Sequence, residues 1–287
     1  MDFKLTCGLI MVLSSAVTHS TIPGVVPVGG GIFETGNAEM SRDVLYPCQG
    51  DAHTWDSVIG AIVQGGGSLI KRSPEGEKAM QAARDKAPGP AKSGEYIKEM
   101  LGWQSELPAE SEAGNFWEEK VYRDRRRVAL IKNEFPYGLP PLVDHWMLWI
   151  RIQTFTEAAF EPLSHETLPN PDFKRSIRRK ALLRYLNYYD FYGYSGISED
   201  VINRFRLSGF YHPTEDTVWK DPESSEVVTR LEGIEAMHWL GRHVLNVIHV
   251  IFSPERYEIL FNRSTERWKS VVYPDHFHVI VKPKSAS

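Results

Sequence analysis

The chain has almost no cysteine: two in 287 residues, Cys7 and Cys48. A disulfide framework and a cysteine zinc site both need more, so both are excluded. If the stretch holding Cys7 is removed, no intramolecular pair remains. A basic excess is also missing. The 33 Lys and Arg face 37 Asp and Glu, for a net charge of −4. That balance argues against a nucleic-acid partner. No apolar run beyond the N-terminus is long enough to cross a bilayer. There is no dinucleotide fingerprint, zinc-protease helix or kinase set. Gly65-Gly66-Gly67 lacks the following Lys-Ser/Thr of a phosphate loop and reads as a helix stop. Gly193-Tyr194-Ser195-Gly196-Ile197 misses the nucleophile elbow, because its second glycine comes one residue early. No organic cofactor is therefore expected.

What is present suits a folded core. Hydrophobic residues make up 42% and charged residues 24%, close to the globular average. Aromatics reach 11%, with 8 Trp, enough for large apolar contacts in a core or a binding cavity. Residues 1–20 carry one Lys, an apolar run over Leu5–Val17 and small residues at Thr18-His19-Ser20. This layout fits a signal peptide or a loose tail, which leaves a secretory or a cytoplasmic location open. Residues 21–52 read as an irregular lead-in, rich in Gly, Pro and Val.

Residues 53–287 read as a single globular domain of the α+β class, a small central β-sheet packed with several helices. Thr54–Val63 predicts a helix. Ser73-Pro74 starts another, with Ser as N-cap and Pro in the first turn. Ala87–Ala91 is a break, and Tyr96–Trp103 is helical again. Phe116–Ile131 predicts a helix carrying the basic run Arg123, Arg125, Arg126, Arg127 on its solvated face. Leu142–Ile152 is apolar on both faces and predicts an inner strand. Phe173–Tyr189 is helical. Its basic run, Lys174, Arg175, Arg178, Arg179, Lys180 and Arg184, also reads as solvated. Val227–Phe252 shows the clearest helical period. Strands at Glu258–Asn262 and Phe277–Val281 close the chain. The middle, about 157–235, is rich in Tyr.

Several segments share their order and spacing with one family. They are Thr54-Trp55, Lys71-Arg72-Ser73-Pro74, Tyr96-Ile97 with Leu101-Gly102-Trp103, and Asn133-Glu134-Phe135-Pro136-Tyr137-Gly138 with His145 and Trp149. Toward the C-terminus they are Ile259-Leu260-Phe261-Asn262, Trp268-Lys269-Ser270-Val271 and Asp275-His276-Phe277-His278-Val279. In these the chain resembles the fungal N-acetylglucosamine-induced protein family over about residues 53–154 and 240–282. Phe135 stands where that family usually has Trp, and Asp275 where it has Glu. The segment 157–235 is longer than is usual there. The resemblance implies a fungal chain that responds to an amino sugar. It implies no reaction and no catalytic residues.

Chemistry is therefore sought in the residues themselves. His276 and His278 are two apart on a strand, so both point to one face with Phe277 opposite. His145 shares a strand face with Trp149 and Arg151. If these strands are neighbours, three imidazoles converge, as acid–base groups or as a metal site. The alternative is that they only hold the sheet together. His145, His276 and His278 are thus the catalytic candidates. Tyr137, Trp149 and Arg151 are candidates for substrate binding. So are His238 and Arg242, on the edge of the long helix, where Glu235 and His238 form a single Glu-x-x-His. The expected function is a small-molecule enzyme of cyclase, isomerase or lyase type, in a specialised pathway, acting on a largely apolar substrate. The alternative is a non-enzymatic amino-sugar binding or signalling protein.

Overall fold

A computed structural model describes residues 48–49, 52–64, 67, 70–86, 90–107, 114–189, 191–206, 218–265, 269 and 271–284. The signal-peptide reading of residues 1–20 lies outside these, as does nearly all of the lead-in. Residues 40–287 form one compact unit. It is a single mixed α+β domain.

Five antiparallel strands form the sheet, in the order β3-β4-β9-β8-β5. They are β3 (Val128–Lys132), β4 (Asp144–Ile150), β5 (Phe191–Ser195), β8 (Tyr257–Arg263) and β9 (Asp275–Pro283). Two-stranded ribbons are made by β1 (Cys48–Gln49) with β2 (Ala52–His53), and by β6 (Val218–Lys220) with β7 (Val227–Thr229). The described helices are α1 (Trp55–Val63), α2 (Pro74–Lys86), α3 (Pro90–Met100), α4 (Glu119–Tyr122), α5 (Ser176–Tyr188), α6 (Glu199–Arg206) and α7 (Arg230–His249).

The starts of these helices follow the local chemistry. Thr54 caps α1 by accepting the Ser57 N–H, and Ser73 caps α2 by accepting the Gly76 N–H at 3.0 Å. Thr229 does the same for α7, which therefore begins three residues after the predicted Val227. Val227–Thr229 pairs with β6 instead.

Phe116–Ile131 is not one helix. The Asp124 carboxylate accepts from the Arg126 N–H and the Arg126 guanidinium, which turns the chain. Val128–Lys132 then pairs with β4 over Ile150 to Trp146. β-branched Val128 and Ile131 favour that extended state.

The second basic run is a solvated face only in part, at Lys174, Arg175 and Lys180. Arg178 and Arg179 are buried. Arg178 is paired with Glu232 and Glu226, and Arg179 with Glu161. Arg184 binds Asp221 at 2.6 Å.

Alternation along the strands gives the sheet two different faces. One carries Leu148, Ile150, Phe261, Phe277 and Val279, all buried. Helix α7 covers it, and a side chain at Gly241 would meet the Phe261 and Phe191 rings. The fit is tight at Gly193, where an added Cβ would lie 2.3 Å from the Phe261 ring. Phe261 is fully buried against Phe191 and Phe277, so it cannot swing away. Gly193→Ala is expected to cost about 3 kcal/mol, the upper end for overpacking, read from urea denaturation. The other face carries His145, Met147, Trp149, His276 and His278. Ile97 of α3, Trp103 and Val271 cluster with Met147 and Trp149 there.

Candidate active site

A cleft with a cavity volume of about 220 Å³ opens on this second face. The sheet supplies Met147, Trp149, His276 and His278. Helices α2 and α3 supply Met80, Tyr96, Ile97 and Met100, and the segment after β3 supplies Asn133, Phe135 and Tyr137. Arg72, Arg84, Lys132, Glu134 and Lys269 are the charged residues of its lining. An engineered apolar cavity of roughly 150 Å³ holds benzene, so this cleft has room for a small substituted ring.

Backbone bonds fix its rim. The His53 N–H donates to the Gly138 carbonyl at 2.7 Å and the Gly138 N–H to the Lys71 carbonyl at 2.9 Å. The His53 Nε2 accepts the Lys71 N–H at 2.9 Å. Arg72 and Tyr137 form a β-bridge. Two segments remote in sequence are thereby held side by side. Next to them, the Asn133 side chain accepts the Phe135 N–H at 3.0 Å. That bond sets the turn and fixes which end of the Asn133 amide is the oxygen.

Three of the candidate histidines do converge. Trp149 and His276 are register partners across β4 and β9, as are Met147 and His278. The His145 Nε2 lies 3.0 Å from the His278 Nδ1. The His276 and His278 ring centres are 5.6 Å apart, and Trp149 lies 4.7 Å from His276. Tyr137 stacks on His145 at 4.3 Å, and its hydroxyl is 3.3 Å from the His278 Nδ1.

Protonation follows from these contacts. Burial pushes His145 down to about 3, helped by the Arg72 charge. Burial brings His276 to about 4 despite the neighbouring Asp275 carboxylate. His278 is also held well below its ordinary value, by burial first and then by His145. All three are neutral at physiological pH, and each carries one ring proton. The His145 Nδ1 receives the Tyr137 backbone N–H at 3.3 Å and the Asn133 Nδ2 at 3.1 Å. Two donors aim at that nitrogen, so it must be the acceptor. The His145 proton then sits on Nε2 and is donated to the His278 Nδ1. His278, in turn, must carry its own proton on Nε2. The relay therefore makes His278 a hydrogen-bond donor. His276 differs: its Nδ1 is buried and has no hydrogen-bond partner, and the ring's other contact is with the Pro274 carbonyl.

The remaining candidates lie elsewhere. Arg151 is buried beside Trp103, 6.0 Å from its ring, and donates to the Ser105 carbonyl. It shares the strand face but does not line the cleft. His145 sits behind Tyr137 and His278 and acts on the cleft only through them. His238 and Arg242 are on α7, across the sheet. His238 is exposed and meets Tyr194 edge-on at 6.1 Å. Arg242 stacks on Trp239 at 3.6 Å and bonds Glu166 at 3.1 Å. The structure brings neither to the histidines. Glu235 accepts from the Asn170 amide, so Glu-x-x-His here serves packing. Among the described residues no group of three or more His, Cys, Asp and Glu is placed to hold a metal ion. Arg72, Asn133 and Lys269 were not singled out from the sequence as site residues, although all three fall within the segments that carry the family resemblance.

Residues 54–179 match the model of a family described as "Protein of unknown function (DUF3605)". The matched stretch holds α1 to α3, β3 and β4, and ends before β9. A solved structure titled "Crystal Structure of HTC1" is similar at 15% identity and a TM-score of 0.39, over 80% of this chain and 84% of that one. No curated protein matches the chain.

Proposed function

We propose that the cleft is the active site of a small-molecule enzyme that moves protons without an organic cofactor, in the isomerase, lyase or cyclase class. The observation that carries this is a pair of neutral imidazoles 5.6 Å apart in one cleft, one a fixed donor and one with a ring nitrogen, Nδ1, that no protein group engages. His276 takes a proton from carbon beside a substrate carbonyl. The freed electron pair moves toward the carbonyl oxygen, which receives the His278 Nε2–H. The proton on His276 returns to another carbon in an isomerisation, or leaves with the departing group in an elimination. In a cyclisation the same carbon attacks a second carbonyl of the molecule, whose π bond breaks and whose oxygen takes the proton from His276. Tyr137 and His145 hold His278 in its donor form. Trp149 and the methionines bind the apolar part of the substrate. The family resemblance extends the proposal to fungal specialised metabolism.

The test incubates the protein with a fractionated metabolite extract and follows each component by mass spectrometry. His276→Ala is expected to reduce any turnover at least 100-fold, within the usual range for acid–base catalysis. His278→Ala should do the same while leaving the circular-dichroism spectrum unchanged. Full turnover in both folded variants would remove the assignment. A second reading follows from the motifs: the cleft binds an amino sugar without turnover. Calorimetry with N-acetylglucosamine and its phosphate decides that reading, and no heat at millimolar sugar would sink it.

A further inference from the structure

The polar lining of the cleft is one-sided. The Nε of Arg72 and the Nε1 of Trp149 are both buried without a hydrogen-bond partner, and both groups line the cleft. Each can only donate. His278 adds a third donor, because its Nδ1 is already committed to His145 and Tyr137. Trp149 is 4% exposed and the Arg72 side chain 23%, so the first is fully built into the floor and the second is partly buried. A buried donor without a partner is costly, and it marks a place where an acceptor belongs.

Charge points the same way. Arg72 and Arg84 share one carboxylate, Glu77, each at 3.8 Å, and that carboxylate is 57% exposed. Lys269 and Arg263 share another, Asp275, at 2.6 and 2.8 Å. Lys132 has its own partner, Asp144, at 2.7 Å. Glu134 also lines the cleft and lies near the Tyr96 hydroxyl, whose ionisation it opposes together with burial. Arg72 is thus a weakly neutralised cation in the same cleft as the idle Trp149 N–H and the His278 donor, over a floor of Trp149, Met147 and Ile97.

We infer that the cleft takes a small aromatic carboxylate, its ring on Trp149 and its carboxylate received by Arg72 and the Trp149 and His278 N–H groups. This rests on the cleft being the ligand site of the proposed function and adds its substrate class. A carboxylate supplies the acceptor that the Arg72 and Trp149 N–H groups lack, one for the His278 N–H as well, and the charge that Glu77 at 3.8 Å gives Arg72 only weakly. The room available suits one ring with short substituents.

The test uses benzoate, neutral benzamide and inorganic phosphate as probes in calorimetric titrations of the full chain. Benzoate is expected to bind saturably and at least tenfold more tightly than benzamide. Arg72→Gln should weaken benzoate at least tenfold and leave benzamide unchanged. Trp149→Phe keeps an aromatic ring in the floor and removes the N–H together with the pyrrole half of the indole. It should weaken benzoate about threefold, and it serves if Arg72→Gln does not fold. Equal binding of benzoate and benzamide, no saturable benzoate binding, or phosphate binding more tightly than benzoate would each overturn the inference. Binding and turnover fail separately. Loss of turnover in His276→Ala without selective benzoate binding would spare the enzyme reading alone. Arg72-dependent benzoate binding with full turnover in His276→Ala would spare the carboxylate alone.

Discussion

Acid is expected to unfold this protein early, with stability falling by roughly 4 kcal/mol per pH unit between about pH 6 and 5. The cause is buried histidine. In an unfolded chain these rings take up protons as pH falls through about 6.5. In the folded chain His145 and His243 hold out to about 3 and His276 to about 4. His278 is shifted the same way. Throughout the window the unfolded state binds more protons, so lowering the pH favours it. Above pH 7 both states are neutral and the effect vanishes. Each ring contributes about 1.4 kcal/mol per pH unit where only the unfolded form is protonated.

His243 isolates the effect from the cleft. It is stacked on Trp117 at 4.0 Å, and its Nε2 faces the Ala159 carbonyl at 3.0 Å. Its Nδ1 has no partner. Urea titrations at pH 7.5, 6.0 and 5.0 give the slope. His243→Phe should flatten it by about 1.4 kcal/mol per pH unit. A slope near zero in the parent would show that the imidazoles protonate in place.

Asp275→Ala is expected to cost about 3–5 kcal/mol, the range for breaking a buried ion pair by removing one partner. Asp275 accepts from the Arg263 Nε at 2.8 Å, the Lys269 Nζ at 2.6 Å, the Thr154 hydroxyl and the His276 N–H at 2.9 Å. Arg263 and Lys269 are themselves buried to 9% and 3% side-chain exposure. Removing the carboxylate leaves two positive charges without their shared counter-ion. The two cations hold the carboxyl far below its usual range, so this bond is fully present at neutral pH and is lost only in strong acid. The variant should melt well below the parent in urea, with an unchanged denaturant slope. Asp275→Asn keeps the shape and should recover part of the loss. A cost under 1 kcal/mol for Asp275→Ala would mean that the cations find other partners.

Periodicity made most of the fold legible. Both faces of Leu142–Ile152 are apolar because β4 lies inside the sheet, between β3 and β9. His276 and His278 read as one face because a strand has a period of two, and the register with Trp149 and Met147 bears this out. Helix caps at Thr54 and Ser73 were visible as residue types. Two features were not. Phe116–Ile131 has helical spacing, and only the Asp124 turn and the pairing with β4 make its second half a strand. Arg178 and Arg179 look solvated in sequence. Their partners Glu232 and Glu161 lie 54 and 18 residues away, and no local pattern reports them. His238 and Arg242 shared a helix edge, but the sheet separates that helix from the histidines. The cleft was legible in part. The segments around Arg72, Tyr96, Asn133 to Tyr137, Lys269 and His276 are scattered over some 200 residues of sequence, yet all line one cavity. Their spacing signals relatedness, whereas their meeting point is a property of the fold.

The place of β9 in the sheet has a bearing on how the chain is made. The central strand, with β4 on one side and β8 on the other, is the last of the described strands in chain order. Synthesis runs from the N-terminus. Until Asp275–Pro283 is added, β4 and β8 each expose an unpaired apolar edge, the arrangement most open to pairing with another chain. Premature termination before residue 275 would thus release a product prone to aggregate and lacking both histidines that line the cleft.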